Sequence, residues 1–425
     1  GVRAIIKVPV WLVTESTLFM EPKQCPPTSM SHCGLWGLSR AVRTERPMVA
    51  FRTLGVAAVR SFLDALQLLP TVTNESEVVM VAEGKVPRLQ TCSLPKEQAT
   101  APHGRVEFIS GGTGGLGLLT GRWLAEGVSM GVVLASRGGT LSRSNASQFK
   151  KAAAHRCAAY VAQCNMAEQK QVGRLAASIH IHLTWRSLGV WHAAGVLADG
   201  MLSSQSAKKL VYVYASKAHG AWRLQQANAA EYVHAHVLFS SVAAAFGNAT
   251  QANYSAANGC LDGMAASRHM FGLEAASIAW GPWSQVGMAA AGGEAMMSQL
   301  KSMGLGMIGY SQGVTAFKAA LSHKGPAVFV AAVISWSKYL SSGKVPSFLI
   351  AFAPAKTSGA KAAFAPAKTI GAKASPATEI TQATAVRKLP ASMPQAIREA
   401  PFGNVQLVTA ARPAVSFAKV MGLIH

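Results

Sequence analysis

The chain has 425 residues, half of them hydrophobic and only 14% charged, a balance that fits two or three folded domains and excludes a disordered polymer. Its formal net charge of +22 raises nucleic-acid binding, yet the basic residues form neither one block nor a basic helix interleaved with aromatics, so no nucleic-acid partner is expected. A diffuse positive field equally suits small anions and acidic partner proteins.

The start, Gly1-Val2-Arg3-Ala4, lacks an initiator Met and the three-part pattern of a signal peptide, and it reads as a cut from a longer polypeptide. Residues 1–100 mix apolar runs with turn signals and make a first unit. Over 101–342, short apolar strands alternate with helical patterns, which predicts an α/β fold around a doubly wound parallel sheet. The predicted strands are Arg105–Ser110, Gly131–Ser136, Cys157–Cys164, Gly189–Ala194, Val237–Ser241, Glu274–Trp280 and Ala327–Val333. The predicted helices are Leu116–Glu126, Ser206–Ala227 and Tyr254–Met270. Residues 343–425 are expected to form a flexible linker, because a twelve-residue Ala/Pro/Lys repeat at 351–374, differing only at Ser358 and Ile370, buries little. Val415–His425 has the pattern of a further helix.

No apolar run reaches about 18 residues, so neither a transmembrane helix nor a membrane partner is expected. The cysteines are scattered without a C-x-x-C pair, which suggests reduced thiols in an intracellular, cytoplasm-like compartment. His180 and His182, and His234 and His236, are close pairs, but no third ligand falls at a metal-like spacing, so no metal is expected.

The first strand of the second unit runs into Ser110-Gly-Gly-Thr-Gly-Gly-Leu-Gly117 and then into a helical pattern. Gly112, Gly114 and Gly117 fit G-x-G-x-x-G, and Gly111, Gly114 and Gly117 fit G-x-x-G-x-x-G. Between a strand and a helix, such a turn lets a pyrophosphate approach the helix N-terminus, whose free N–H groups and dipole favour anions. The second strand ends at Ser136-Arg137, where an NAD binder usually carries an acid for the ribose 2′-hydroxyl. A guanidinium there suits a 2′-phosphate and points to NADPH.

A later strand ends at Ser240-Ser241, and Tyr254 and Asn258 share a face of the helix that follows. A tyrosine with an ordinary pKa of about 10 holds a proton at neutral pH. A nearby ammonium lowers that pKa, and a hydroxyl on a carbonyl oxygen completes an oxyanion-type site.

The glycine loop, Gly189-Val-Trp-His-Ala-Ala-Gly-Val-Leu-Ala-Asp199, Phe239-Ser-Ser241, Gln251-Ala-Asn-Tyr254 and Ala279-Trp-Gly-Pro-Trp283 resemble the landmarks of polyketide synthase ketoreductases, within the short-chain dehydrogenase/reductase superfamily. The resemblance covers roughly 104–340 and implies NADPH-dependent reduction of a 3-ketoacyl thioester to a 3-hydroxyacyl thioester. It implies Tyr254 as proton donor, Ser241 as the hydroxyl that orients the carbonyl, and Lys217, in a Lys-x-x-Gly segment, on the cofactor ribose with Asn258 supporting it. Gly111, Gly112, Thr113, Gly114, Gly115, Leu116, Gly117, Ser136, Arg137, Asn165, Met166, Ala193, Ala194 and Gly195 would line the cofactor. The substrate would arrive on the phosphopantetheine arm of an acyl carrier protein, with other polyketide synthase domains as neighbours. Val8-Pro-Val-Trp-Leu-Val-Thr14, Leu35-Trp-Gly-Leu-Ser-Arg40 and Glu45-Arg-Pro47 resemble the family's structural subdomain, a degenerate Rossmann-like unit, here without its start.

The chain departs from the family at Asn165, where Asp is common, at Gly138, where a second Arg is common, and at Ser110, a usual Thr. The resemblance also bears on the product's configuration. Asp199 and Asn253 match ketoreductases that give the D alcohol, although Ala198 and Ala249 do not, and Phe246 stands where the opposite type has Trp. In the bland alternative Asp199 only caps the next helix. A ketoreductase fold kept as a silent scaffold is the rival reading of the whole.

Overall fold

The computed structural model describes residues 10–15, 32–56, 76–80, 105–127, 129–143, 145–146, 149, 157–182, 187–322, 325–341 and 345–353. In the N-terminal unit, β1 (Val10–Glu15), β2 (Phe51–Val56) and β3 (Glu77–Met80) form a parallel sheet in that order, and α1 (Cys33–Glu45) lies between β1 and β2 in the chain.

The main sheet has seven parallel strands: β4 (Arg105–Ser110), β5 (Gly131–Ser136), β6 (Ala158–Gln163), β7 (Ser187–His192), β8 (Val233–Ser241), β9 (Ala276–Trp280) and, after the two-residue β10 (Leu305–Gly306), β11 (Val328–Ala331). Their order across the sheet is β11-β9-β8-β7-β4-β5-β6. The winding therefore reverses between β4 and β7, which makes this a doubly wound, Rossmann-like α/β fold. Ligands of such sheets bind outside the carboxyl ends of the strands at that reversal. The apolar runs of β5 and β7 follow from burial on both faces, and β4 is buried along its whole length with Glu107 accepting from Trp191 Nε1 at 2.8 Å. Along β4, Ile109 joins a core with Leu134, Trp191 and Phe317, while Phe108 joins the opposite core with Val133, Val190 and Leu224.

Several predicted boundaries move by one to four residues. The stretch Ala327–Val333 divides: β11 pairs with β9, while β12 (Val333–Ile334) pairs antiparallel with β10. The long helix predicted over Ser206–Ala227 also divides. After α2 (Gly115–Glu126) and α3 (Gln169–His182), α4 (Ala207–Ser216) and α5 (Ala218–Ala227) meet at Lys217, whose φ of −96° and ψ of −80° end one helix and begin the next. A short α6 (Val242–Phe246) follows β8, and α7 (Ala252–Met270) begins two residues before Tyr254.

The two units meet where α1 crosses α7. A Cβ on Gly37 would stand 2.2 Å from the Ser255 carbonyl oxygen, so the backbones touch and only glycine fits. One turn on, Arg40 donates from Nε and Nη2 to the Glu77 carboxylate at 2.8 Å each and from Nη1 to the Ala244 carbonyl at 2.9 Å. Arg43 pairs with the same carboxylate. Burial alone would raise the Glu77 carboxyl, but the two guanidiniums hold it below its ordinary value.

Residues 345–353, expected in the linker, belong to the folded body. Phe348 and Leu349 are buried against Phe246 and Leu340, and Arg40 lies 5.4 Å over the Phe348 ring. These apolar side chains precede the repeat, so its solvated composition says nothing about them. The rest of the expected linker, with Val415–His425, lies outside the described residues.

Glu77→Gln would leave the buried Arg40 and half-buried Arg43 guanidiniums facing a neutral amide. We expect a loss of about 3–5 kcal/mol of stability, the cost of breaking a buried charge pair, read from chemical denaturation.

Candidate active site

The glycine loop sits at the reversal between β4 and β7. Gly111 has φ +70°, and a Cβ there would stand 2.8 Å from Ala194 Cα, which ties the loop to the segment after β7. A Cβ on Gly117 would meet the Gly111 carbonyl oxygen at 2.3 Å. The Gly112 N–H donates to the Ala135 carbonyl at 3.0 Å and the Gly114 N–H to the Gly111 carbonyl at 3.0 Å. Helix α2 starts with no capping side chain and no acid in its first turn, so its N-terminal N–H groups and dipole are available to an anion.

Around the loop, Ser136 Oγ accepts from the Gly139 N–H at 3.1 Å and the Arg137 carbonyl accepts from Gln163 Nε2 at 3.2 Å. These bonds fix the turn while the Arg137 side chain stays exposed. Asn165 Oδ1 accepts from the Ala167 N–H at 3.1 Å, which leaves one lone pair on that oxygen. Met166 is buried, and its carbonyl accepts from Arg223 Nη1 at 3.1 Å. Ala193 donates to the Ser110 carbonyl at 3.0 Å, and Gly195 lies against the Lys217 stem, where a Cβ would be 3.2 Å from Cε.

Lys217 is 3% exposed, and its Nζ donates to the Phe239 carbonyl at 2.6 Å. Burial pushes its pKa down to about 7, although the Asp262 carboxylate works the other way. Its Nζ lies 5.3 Å from the centroid of the Tyr254 ring. Tyr254 is buried with Ala243, Val213 and Ala257, beside Val196–Ala198. Burial is the largest influence on the phenol and raises it to about 12; the Asp199 carboxylate adds to this, while hydrogen bonding to Asn258 and Ser241 offsets part of it. Thus the lowered phenol expected beside an ammonium is not found in the free protein: desolvation outweighs every other influence.

Ser241 ends β8 and caps α6, accepting from the Ala243 N–H at 3.2 Å. Asn258, one turn beyond Tyr254, donates from Nδ2 to the Tyr254 carbonyl at 2.9 Å, and its Oδ1 is buried with no donor among the described residues. The four residues singled out from the sequence, Lys217, Ser241, Tyr254 and Asn258, therefore meet at one end of the sheet beside the glycine loop.

The residues tied to configuration divide. Asn253 Nδ2 donates to the Ala198 carbonyl at 2.9 Å, and Asp199 Oδ2 accepts from Gln251 Nε2 at 2.9 Å. Asp199 therefore does not cap the next helix; Ser206 does, accepting from the Lys209 N–H. Phe246 packs away from the phenol, against Trp336 and Tyr339.

Two buried groups escaped sequence reasoning. His192, fully buried, bridges Ser110 Oγ at 2.6 Å and the Lys217 carbonyl at 2.9 Å. Burial pushes it down to about 3, so it is neutral; its Nε2 must donate to the carbonyl and its Nδ1 accept from Ser110. Asp262, two turns past Tyr254, accepts from Ser277 Oγ at 2.6 Å and is pushed up to about 6 by burial. Only its i+8 position along the helix face of Tyr254 and Asn258 signalled this.

Strand order, glycine loop and the buried lysine–tyrosine pair define a Rossmann-like oxidoreductase domain of the short-chain dehydrogenase/reductase type. Residues 106–285 match the KR domain family, and this part of the chain belongs to that family. Polyketide synthase GfsB of Streptomyces halstedii is 31% identical over 359 residues, which cover 79% of this chain and 6% of that protein. The spectinabilin polyketide synthase system protein NorB of Streptomyces orinoci is 36% identical over 234 residues, 54% of this chain and 10% of that protein. The chain thus spans a small part of the length of these relatives. Among solved structures, the ketoreductase from the first module of phoslactomycin biosynthesis in Streptomyces sp. HK803 superposes with a TM-score of 0.72 at 27% identity, covering 82% of this chain and 81% of its own. The first ketoreductase of the tylosin polyketide synthase gives 0.67 at 29% identity over 78% and 71%. No described helix is long and apolar enough to cross a membrane, and the described residues hold no cluster of metal ligands.

Site-specific NMR titration of the Lys217 ammonium in the free protein should give a midpoint near 7 rather than the ordinary lysine value, with the neutral amine predominating above it. A midpoint near 10.4 would contradict the desolvation account.

Proposed function

We propose that the chain catalyses NADPH-dependent reduction of a carrier-bound 3-ketoacyl thioester to the D-configured 3-hydroxyacyl thioester within a polyketide synthase. The observation that carries this reading is the convergence of a buried lysine, a buried tyrosine and a serine beside a glycine loop whose close backbone approaches a Cβ would block.

The residues present fit a dinucleotide phosphate. The glycine loop and the uncapped N-terminus of α2 would hold the pyrophosphate, and the exposed Arg137 guanidinium would pair with a 2′-phosphate. Asn165 Oδ1 keeps a lone pair for an adenine amino group, so the departure from Asp does not require loss of this contact. When bound, the nicotinamide supplies a hydride to C3 of the ketoacyl group.

Tyr254 gives its phenolic proton to the carbonyl oxygen. Ser241 donates a hydrogen bond to that oxygen and holds it against the phenol. Lys217 spends one N–H on the Phe239 carbonyl and keeps two, one for a ribose hydroxyl and one for the phenolate that forms. Asn258 Oδ1, without a donor among the described residues, is suited to holding a water that carries a proton to Lys217. The charged lysine is the useful form, and it prevails below its pKa of about 7 in the free protein. Asp199 and Asn253 flank the phenol and support the D configuration. The acyl carrier protein, the neighbouring domains and an intracellular, cytoplasmic setting follow the same reading.

The test is reduction of a 3-ketoacyl thioester with chiral chromatography of the product. Tyr254→Phe should cut turnover about 100-fold or more, the scale of lost general-acid catalysis, with NADPH binding kept. A Phe variant as fast as the parent, or an L product, would refute the corresponding part. Arg137→Ala should erase about 1.5–3 kcal/mol of preference for NADPH over NADH, the worth of one charge-assisted contact, and a parent equally efficient with both would refute the cofactor assignment.

A further inference from the structure

Glu45 ends α1 in the N-terminal unit, far in sequence from the reaction centre, and its carboxylate reaches into the catalytic unit. One oxygen accepts from the Leu202 N–H at 2.6 Å and the other from the Thr250 N–H at 3.1 Å. These two amides belong to the two segments that flank the Tyr254 phenol. Further bonds stitch the segments together: the Gly200 N–H to the Thr250 carbonyl at 2.8 Å, Gln251 Nε2 to Asp199 at 2.9 Å, and Asn253 Nδ2 to the Ala198 carbonyl at 2.9 Å. Asn253 then accepts from the N–H of Tyr254 itself at 2.7 Å.

Thr250 is the clue to why a carboxylate is needed. With φ of 68° it is the one non-glycine residue with positive φ among the described residues, and a β-branched side chain resists that conformation. A strained residue persists where its surroundings over-determine it. Here both peptide polar groups of Thr250 are held, the N–H by Glu45 and the carbonyl by Gly200. The task requires two acceptors and no donor. A glutamine would offer one acceptor and turn an amide N–H toward a backbone N–H, and an aspartate is too short to reach both amides.

We propose that Glu45 is a positioning residue: from the N-terminal unit it fixes the spacing between 198–202 and 248–254, and so sets the geometry and the ketone face presented to Tyr254. This rests on the ketoreductase reading for its effect on product, but not for the clamp itself. It makes the N-terminal unit part of the catalytic device rather than only a brace.

The experiment compares the full chain with Glu45→Gln, and with Glu45→Asp should the first fail to fold. Amide hydrogen exchange at Leu202 and Thr250 should quicken about tenfold or more, as expected when a protecting bond opens locally. Turnover of a 3-ketoacyl thioester should fall about tenfold, a modest share of what misplacement near a reaction centre costs, and the minor epimer should rise several-fold. NADPH binding should stay within about twofold, since Glu45 does not approach the glycine loop. Unchanged exchange at both amides would overturn the proposal. So would an activity loss that follows NADPH binding or the unfolding midpoint while the epimer ratio stays fixed. A parent that reduces no 3-ketoacyl thioester would instead refute the ketoreductase reading, and the exchange rates would still decide the clamp.

Discussion

The backbone contact between α1 and α7 is the constraint on which the rest depends. Helix α7 carries Tyr254 and Asn258 and is buried along nearly its whole length. A helix hidden on all sides cannot be placed by solvent, only by what packs against it. Gly37 lets α1 come down onto the Ser255 peptide, and the paired Arg40 and Glu77 lock that approach from behind. The same helix extends Arg40 to the Ala244 carbonyl just after Ser241, and Glu45 to the loop before Tyr254. Three successive turns of one helix thus touch the surroundings of both the serine and the tyrosine.

Burial is also what sets the chemistry of the site. It drives Lys217 toward the neutral amine and Tyr254 toward the protonated phenol. Both shifts favour uncharged forms, as a low-dielectric setting requires. The neutral His192 buttresses the helix break at Lys217 through the lysine carbonyl, and that break lets the stem turn toward Phe239 rather than continue along a helix face. Among the described residues Asp262 is the acid that acts on the ammonium, and burial holds it up near 6. The free protein therefore holds a desolvated pair: a protonated, uncharged phenol beside an ammonium that loses its proton near pH 7. An anionic ligand beside Lys217 would restore the ammonium by coulombic attraction.

Much of the main sheet was legible from the residues alone. Strand β5 carries an unbroken apolar run and β4 an apolar run broken only by Glu107, and both begin and end where the pattern predicts. The glycine loop was legible because its spacing reflects contacts that exclude a Cβ. The break at Lys217 was not, since apolar residues continue at helical spacing through Leu210, Val213, Tyr214, Ala218 and Ala221, and only the tertiary bonds of the lysine end the helix. Nor was the burial of Phe348, which depends on a surface that includes Phe246, distant in sequence. The bond from Arg40 to the Ala244 carbonyl and the reach of Glu45 join residues from different units, and no local pattern encodes such a pairing.

The most direct test of the central claim is mass spectrometry of a synthetic 3-ketoacyl thioester incubated with the protein and deuterium-labelled NADPH. The account predicts a hydroxyacyl product with one deuterium at C3, formed one for one with oxidised cofactor. Tight NADPH binding with no labelled product would contradict it and would select a silent scaffold built on the same fold.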